Sequence, residues 1–287
     1  MERRDFVTHR AANGRMPSFN LRICWIALVS AGLLFLHSAI GAAQTAAPAP
    51  SIELKRDDRQ GQLQVLIDGR EAVAYQYGAD LDFPHYYPVR SPSGKPLTVQ
   101  YPDDRHSHHR SIWVNDIVQP PNHEPISFYA IGLKEDSKRT AKGFRDCIRH
   151  VKFLGEDVAG GKATIRTLAT WLADFGQLRV LDEQRRLRVV PLGRGEYLLD
   201  LQFEVQATYG DMRIVSEWNH YAWPYVRMHA KFGVAAGGTI TNSAGGINEQ
   251  GTHEKRALWV DCSNCVDGAT EGLAVFPVAD PASPTLW

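Results

Sequence analysis

The sequence has no excess of charge of either sign and few cysteines. Its 287 residues carry 32 Lys and Arg against 32 Asp and Glu, with four cysteines. Nucleic-acid binding depends on basic residues that neutralise phosphates, so this balance argues against a nucleic-acid partner. We therefore interpret the arginine-rich run at residues 179–188 as a solvated strand face rather than a phosphate track.

Three of the cysteines, Cys147, Cys262 and Cys265, lie beyond the amino-terminal segment. The spacing of Cys262 and Cys265 suits a redox or metal motif, but a second pair is missing, which argues against a structural zinc site. In an oxidising compartment three thiols allow one disulfide and one free cysteine. We expect a local turn at residues 262–265, or a bridge from it to Cys147, and the pairing is left open.

Long apolar runs are also scarce. The amino-terminal one, Ile23 to Leu36, is shorter than the roughly 20 residues that a membrane helix needs. Basic residues precede it and Gly41-Ala42-Ala43 follows it, which is the layout of a secretory signal peptide. We predict a signal peptide at 1–43, with Met16 as the true start, and a flexible leader at 44–51. The alternative is an uncleaved anchor; the prediction is a periplasmic or secreted protein without a stable membrane span.

Helical periodicity of useful length is absent, and alternation with a period of two takes its place. Leu199, Leu201, Phe203 and Val205 alternate with polar residues, and segments 63–67 and 226–232 repeat the pattern. Such alternation marks strands with one buried and one solvated face. Gly- and Pro-containing turns separate the runs. The sequence predicts one all-β domain at 52–287, a large antiparallel β-sandwich, with residues 120–142 as a long insertion loop.

Histidine is concentrated in one place. The run His106-Ser107-His108-His109-Arg110 directly precedes a strand-like segment that begins near Ile112. Histidine is the side chain best suited to proton transfer near neutral pH and the commonest metal ligand. On a strand, His106 and His108 would share a face and His109 would point the other way. The alternative is a hydrogen-bonded turn that locks the sheet edge.

Several blocks of the chain, in order, resemble an exported bacterial family that carries the name "methane oxygenase PmoA", a PmoA-like domain of unknown function. These blocks are residues 84–88, 91–94, 97–98, 106–113, 181–185, 225–228, 237–245, 257–261, 271–276 and 284–287. Two departures stand out. Pro120-Pro121-Asn122-His123 and Phe128-Tyr129 replace a glycine-containing turn and a Phe-Trp pair, and the family usually continues past the final tryptophan. We therefore expect either a truncated or a divergent member of the family, with an incomplete sheet.

The resemblance implies a galactose-mutarotase-like supersandwich that acts on carbohydrates. A chemically sufficient set would use His108 or His109 as acid and Glu183 as base. The predicted substrate-binding residues are His106, Arg110, Tyr86, Arg227, His229 and Asn242. Aromatic rings near these blocks would stack on a sugar or pack in the core; they are Tyr86, Tyr87, Trp113, Trp218, Tyr221, Trp223 and Tyr225.

Two other functions remain open. The family name points to a metal-dependent oxygenase, in which His106 and His108 would bind a transition metal, because imidazole suits iron, copper and zinc. The third hypothesis is a non-catalytic glycan-binding or structural module in which the histidines only shape a groove. The leading hypothesis, chemistry on a saccharide or glycan, requires no cofactor.

Overall fold

Antiparallel β-strands make up most of the part of the chain that we describe, which comprises residues 49–133, 135–215, 223–277 and 285–286 of a computed structural model. The predicted signal peptide at 1–43 lies outside the described residues. So do most of the leader, Trp218, Tyr221 and the final tryptophan. The all-β fold class is confirmed.

The strands in chain order are β1 (Ile52–Asp57), β2 (Gln62–Ile67), β3 (Arg70–Gln76), β4 (His85–Val89), β5 (Ile112–Trp113), β6 (Ile117–Gln119), β7 (Ile126–Ser127), β8 (Cys147–Ala159), β9 (Lys162–Ala173), β10 (Leu178–Gly193), β11 (Glu196–Gln206), β12 (Arg213–Ile214), β13 (Tyr225–Val226), β14 (Thr239–Asn242), β15 (Arg256–Ala257), β16 (Val260–Val266), β17 (Ala269–Val275) and β18 (Thr285–Leu286). One α-helix, α1 (Asn248–Thr252), occurs in the described ranges. Short 3₁₀ helices span Asp104–His106, Glu135–Ser137, Asp174–Gly176, Ala230–Phe232 and Val234–Ala236.

Two sheets form the body of the sandwich. One has six strands in the order β1-β2-β3-β4-β5-β13, and the other has four long strands in the order β11-β10-β9-β8. The smaller sheets are β12-β6-β7, β14-β16-β17 and β15-β18. Neighbouring strands pair antiparallel throughout these sheets, as expected for a chain that folds back through tight turns.

The core lies between the two large sheets. Leu63 and Val65 of β2 belong to the same buried cluster as Ile165 of β9 and Leu187 of β10. The predicted alternation is confirmed in β2, where every second residue is buried. In β11 the apolar members of the alternating run pack only partly buried against the two core clusters. Burial of each such side chain contributes about 1.5–3 kcal/mol, so this shared cluster is what holds the layers together.

Several sequence predictions of local structure are wrong. The predicted strand at 226–232 ends after Val226 and gives way to a 3₁₀ helix. The predicted loop at 120–142 contains β7 and inserts Phe128 and Ile131 into a second buried cluster. The predicted turn at 262–265 is the middle of β16.

The three described cysteines form no disulfide. Cys147 is buried, Cys262 is partly buried and Cys265 is exposed, and each is a free thiol. Cys262 and Cys265 lie three positions apart on one strand, so their side chains leave opposite faces of the sheet and cannot pair locally.

No helix in the described ranges is both long enough and apolar enough to span a membrane.

Candidate functional site

The histidine run lies on a tight turn between β4 and β5, not on a strand. Asp103 caps the 3₁₀ helix Asp104–His106, and its carboxylate accepts a hydrogen bond from the His106 N–H at 3.0 Å. The His109 N–H then donates to the His106 carbonyl at 2.8 Å. This geometry corrects the expected alternation of a strand, and it brings all three imidazoles to one place.

The three imidazoles contact one another as a cluster. The ring centroids of His108 and His109 are 4.3 Å apart, and those of His106 and His109 are 4.9 Å apart. Aromatic rings surround the pair: Tyr129 lies 5.2 Å from His108, and Trp113 lies 5.4 Å from His109. We call His106, His108 and His109 the histidine turn.

Two imidazoles of the histidine turn keep a buried nitrogen without a hydrogen-bond partner. These atoms are Nδ1 of His108 and Nδ1 of His109. His108 is only 5% exposed. A buried polar atom without a partner costs roughly 1–3 kcal/mol, and such atoms are rare in native proteins. Two of them on adjacent residues therefore point to a functional site.

Burial keeps both imidazoles uncharged at neutral pH. Burial, together with smaller electrostatic effects of His106, Arg110 and Arg227, lowers the pKa of His108 to about 4. The pKa of His109 falls to about 3, again mainly through burial, with added effects of His108 and Arg227. At neutral pH neither His108 nor His109 therefore carries the proton that the predicted acid would donate, and each can act as an acid only after it has accepted a proton.

His106 forms the partly exposed side of the histidine turn. Its Nδ1 lies 2.9 Å from one carboxylate oxygen of Asp103 and 3.0 Å from the other. This contact lowers the pKa of Asp103 below its usual range, through the hydrogen bond from His106. The same carboxylate therefore caps the helix and orients the His106 ring.

Arg110 holds the backbone of the turn. Its guanidinium donates to the Ser107 carbonyl at 2.7 Å and to the His109 carbonyl at 3.0 Å, the two carbonyls that flank His108. It also forms an ion pair with the buried Asp82. Because Asp82 and two backbone carbonyls engage the guanidinium of Arg110, we interpret it as a residue that positions His108 and His109 rather than as the predicted substrate-binding residue.

Arg227 approaches the histidine turn from the end of β13. Its backbone N–H donates to the Ser111 carbonyl at 2.8 Å, and its carbonyl accepts from the Val99 N–H at 3.0 Å. The side chain is partly buried and makes no hydrogen bond or ion pair with the described residues, while its charge acts on both His108 and His109. The structure thus brings Arg227 to the site that the sequence analysis assigned to it.

Glu183 and Tyr86 lie in the core and not in an open site. Both are at most 2% exposed. The carboxylate of Glu183 is held by Arg185 and by the Trp171 indole N–H, so we remove Glu183 from the candidate bases. Tyr86 packs against Tyr75 with ring centroids 5.5 Å apart, which explains its burial by packing rather than by sugar binding.

His229 and Asn242 stabilise local backbone. The Nδ1 of His229 accepts from the Lys231 N–H at 3.1 Å and caps a 3₁₀ helix. The side-chain carbonyl of Asn242 accepts from the N–H groups of Ala244 and Gly246, at 3.0 Å and 2.8 Å, and closes the turn after β14. The hydrogen bonds of both residues are local, and the structure records none between them and the histidine turn.

Two residues of the site were missed by the sequence analysis. Asp82 precedes the first block of the resemblance and was not considered, yet it is the partner of Arg110. Tyr129 was noted only as a departure from the family, yet its hydroxyl lies 3.4 Å from Nε2 of His109. An acidic residue in an apolar segment was the one signal for Asp82; Tyr129 carried none.

A metal site is not supported by the described geometry. Within the described ranges, no group of three or more His, Cys, Asp or Glu side chains is placed to hold a metal ion. Of the two predicted ligands, His106 is engaged by Asp103. The pair His106 and His108 alone does not make a closed metal site.

Comparisons with known proteins give a family and no close relative. No curated protein and no solved structure matches the chain. A model of a family of unknown function, DUF6807, matches residues 62–287, which include strands β2 to β18 and the whole histidine turn. The chain therefore belongs to the DUF6807 family.

Proposed function

We propose that this protein binds a saccharide at the histidine turn and that His108 or His109 accepts a proton from a sugar hydroxyl. The observation that carries the proposal is the pair of adjacent, uncharged imidazoles whose Nδ1 atoms have no partner. Sugar hydroxyls both donate and accept hydrogen bonds, so they are suited to partner an imidazole nitrogen that the fold leaves unpaired.

The aromatic surroundings support a saccharide. Tyr129 is partly exposed beside both imidazoles, and such a ring offers a flat apolar face with a polar end. Trp113 and Tyr225 stack behind it with centroids 5.0 Å apart, but both are nearly buried. Only Tyr129 and the histidine rings are therefore assigned to contact the sugar, and the buried pair supports them from below.

The resemblance to the PmoA-named family supports the same proposal, since it implies a carbohydrate-active sandwich. With Glu183 removed, the acid–base chemistry rests on the imidazoles. An uncharged imidazole can remove a proton from an anomeric or neighbouring hydroxyl, provided that the hydroxyl comes within hydrogen-bond reach. The imidazolium that forms can then return the proton to the ring oxygen or to a leaving group, so the same residue acts first as the base and then as the acid.

Calorimetric titration of the purified protein against a panel of neutral and acidic oligosaccharides tests binding. We expect binding that His108→Ala and His109→Ala weaken at least tenfold, since each removes a hydrogen-bonding group from the site. His253→Ala is the matched control, because His253 is an exposed histidine of another loop. Equal binding by all three variants would overturn the assignment of the site.

A measurement of turnover distinguishes an enzyme from a binding module. Proton NMR of a bound sugar reports anomer exchange, bond cleavage or no change. Saccharide binding without turnover would leave the non-catalytic module as the function. The metal-dependent oxygenase implied by the family name has no support from the described ligand geometry, and its test is the metal content of the protein.

A further inference from the structure

The charges around the histidine turn are predominantly positive. Arg227 acts on both His108 and His109, and Arg110 acts on His108. Among the described residues, Asp103 is the carboxylate that opposes this effect at His109, and its contribution is the smallest. The described carboxylates beside the turn, Asp82 and Asp103, are both engaged already, by Arg110 and by His106.

Arg110 and Arg227 differ in whether their charge is already neutralised. Arg110 is paired with Asp82 and donates to two backbone carbonyls, so its charge is neutralised within the fold, although its Nε is buried without a hydrogen-bond partner. Arg227 has no ion pair and no side-chain hydrogen bond with the described residues, although it is partly buried. The guanidinium of Arg227 is therefore available to pair with an anion that enters the site.

We propose that the ligand of the histidine turn is a saccharide that carries a carboxylate, a uronic acid, and that Arg227 binds this carboxylate. The inference rests on the proposed function and names its substrate class. The planar guanidinium matches a carboxylate through two parallel hydrogen bonds, which a neutral hydroxymethyl group cannot form. The backbone N–H of Arg227 donates to the carbonyl of Ser111, two residues after His109, at 2.8 Å, so a sugar held by Arg227 would place its hydroxyls towards His108 and His109.

The experiment compares acidic sugars with neutral counterparts of the same shape. Oligosaccharides of galacturonate, glucuronate and mannuronate are titrated into the protein by calorimetry, beside the same oligosaccharides after reduction of the carboxyl groups. We expect at least one acidic oligosaccharide to bind about 10- to 100-fold more tightly than its reduced form, the effect of one charge-assisted contact.

Arg227→Gln is the variant that tests the arginine. We expect it to remove the preference for the acidic form, so that the acidic and the reduced oligosaccharides bind about equally. Its fold should persist, because Arg227 stabilises the strand through its backbone and not through its side chain. Arg105→Gln is the matched control, since Arg105 is an exposed arginine on the neighbouring 3₁₀ helix. It should keep the wild-type preference.

The outcomes separate this inference from the proposed function. Equal or tighter binding of the reduced oligosaccharides would overturn the uronic-acid inference and keep the saccharide site. An acidic preference that survives in Arg227→Gln would overturn the role of Arg227. Failure of the folded protein to bind any acidic or reduced oligosaccharide would overturn both proposals.

Discussion

Glu183 and Arg185 form an ion pair without access to solvent inside the long four-stranded sheet. Oε1 of Glu183 accepts from Nε of Arg185 at 2.5 Å, and Oε2 accepts from Nη2 at 3.0 Å. Nη1 of Arg185 then crosses to the carbonyl of Pro84, at 2.7 Å, in the segment that leads into β4. The pair thus ties one sheet of the sandwich to the other.

Further buried contacts connect this region to the histidine turn. Asp82, two residues before Pro84, is the partner of Arg110, and Arg110 in turn holds the carbonyls on both sides of His108. His85 adds a third attachment, with Nε2 2.7 Å from the side-chain oxygen of Gln100. Buried charge therefore supports the position of the candidate site, although it does not contact the ligand that we propose.

Replacement of Glu183 is the first test of this arrangement. We expect Glu183→Ala to lower the free energy of unfolding by about 3–5 kcal/mol, because it leaves the Arg185 charge buried and unpaired. The matched control is Asp200→Ala on the neighbouring strand, which removes the partner of the partly exposed Arg188. That change should cost under about 1 kcal/mol. Urea unfolding measures both, and equal losses would contradict the buried pair.

Stability should depend on pH through the histidines. Burial lowers the pKa of His85, His108 and His150 to about 4 and that of His109 to about 3. In the unfolded chain a histidine takes up its proton near pH 6.5. Between these values the unfolded state binds more protons, so stability rises with pH.

We therefore expect the free energy of unfolding to fall as the pH decreases from about 6.5 towards 4. Above pH 6.5 these histidines are uncharged in both states, so they should add nothing to the pH dependence of stability. Urea unfolding at several pH values measures the slope. The double variant His108→Gln/His109→Gln should show a shallower slope, since it removes two of the groups that bind protons only on unfolding. A slope unchanged from the wild type would contradict the low pKa of the pair.

The thiols should react at different rates. Cys265 is exposed, whereas burial raises the pKa of the thiols of Cys147 and Cys262. The thiolate is the reactive form, so we expect Cys265 to react first with an aromatic disulfide reagent. The fast phase of the reaction, which we assign to Cys265, should be absent in Cys265→Ser. Under denaturing, non-reducing conditions the region from Ala49 onward should contribute three thiols, and a missing pair would show that a disulfide forms after all.

Metal content tests the remaining rival. Because His106 is engaged by Asp103 and the described part of the chain offers no three-ligand group, we expect far less than one equivalent of iron, copper or zinc. Plasma mass spectrometry of the purified protein and of His106→Ala/His108→Ala measures this. Stoichiometric metal that disappears in the variant would favour the metal-dependent oxygenase that the family name implies.

The candidate site was only partly predictable from the sequence. The concentration of histidine at 106–109 is visible in the chain itself, and the resemblance added Arg227. The arrangement on a turn depended on Asp103, whose capping role was not considered. Local pattern also failed at Glu183, because a charged run was interpreted as a solvated face while the fold buries Glu183 together with Arg185.

What the sequence determined by itself is the β architecture and the place of the histidine cluster. Alternation with a period of two is a local property, since it follows from successive side chains leaving opposite faces of a strand. Tertiary structure decided which charged side chains are buried, which cysteines stay apart and which groups meet at the histidine turn. Asp82 meets Arg110 and Arg227 approaches His109 across long stretches of chain, and such contacts arise only when the sheets pack. Desolvation and pairing of charges are set by that packing, because they depend on distance in space and not on distance along the chain.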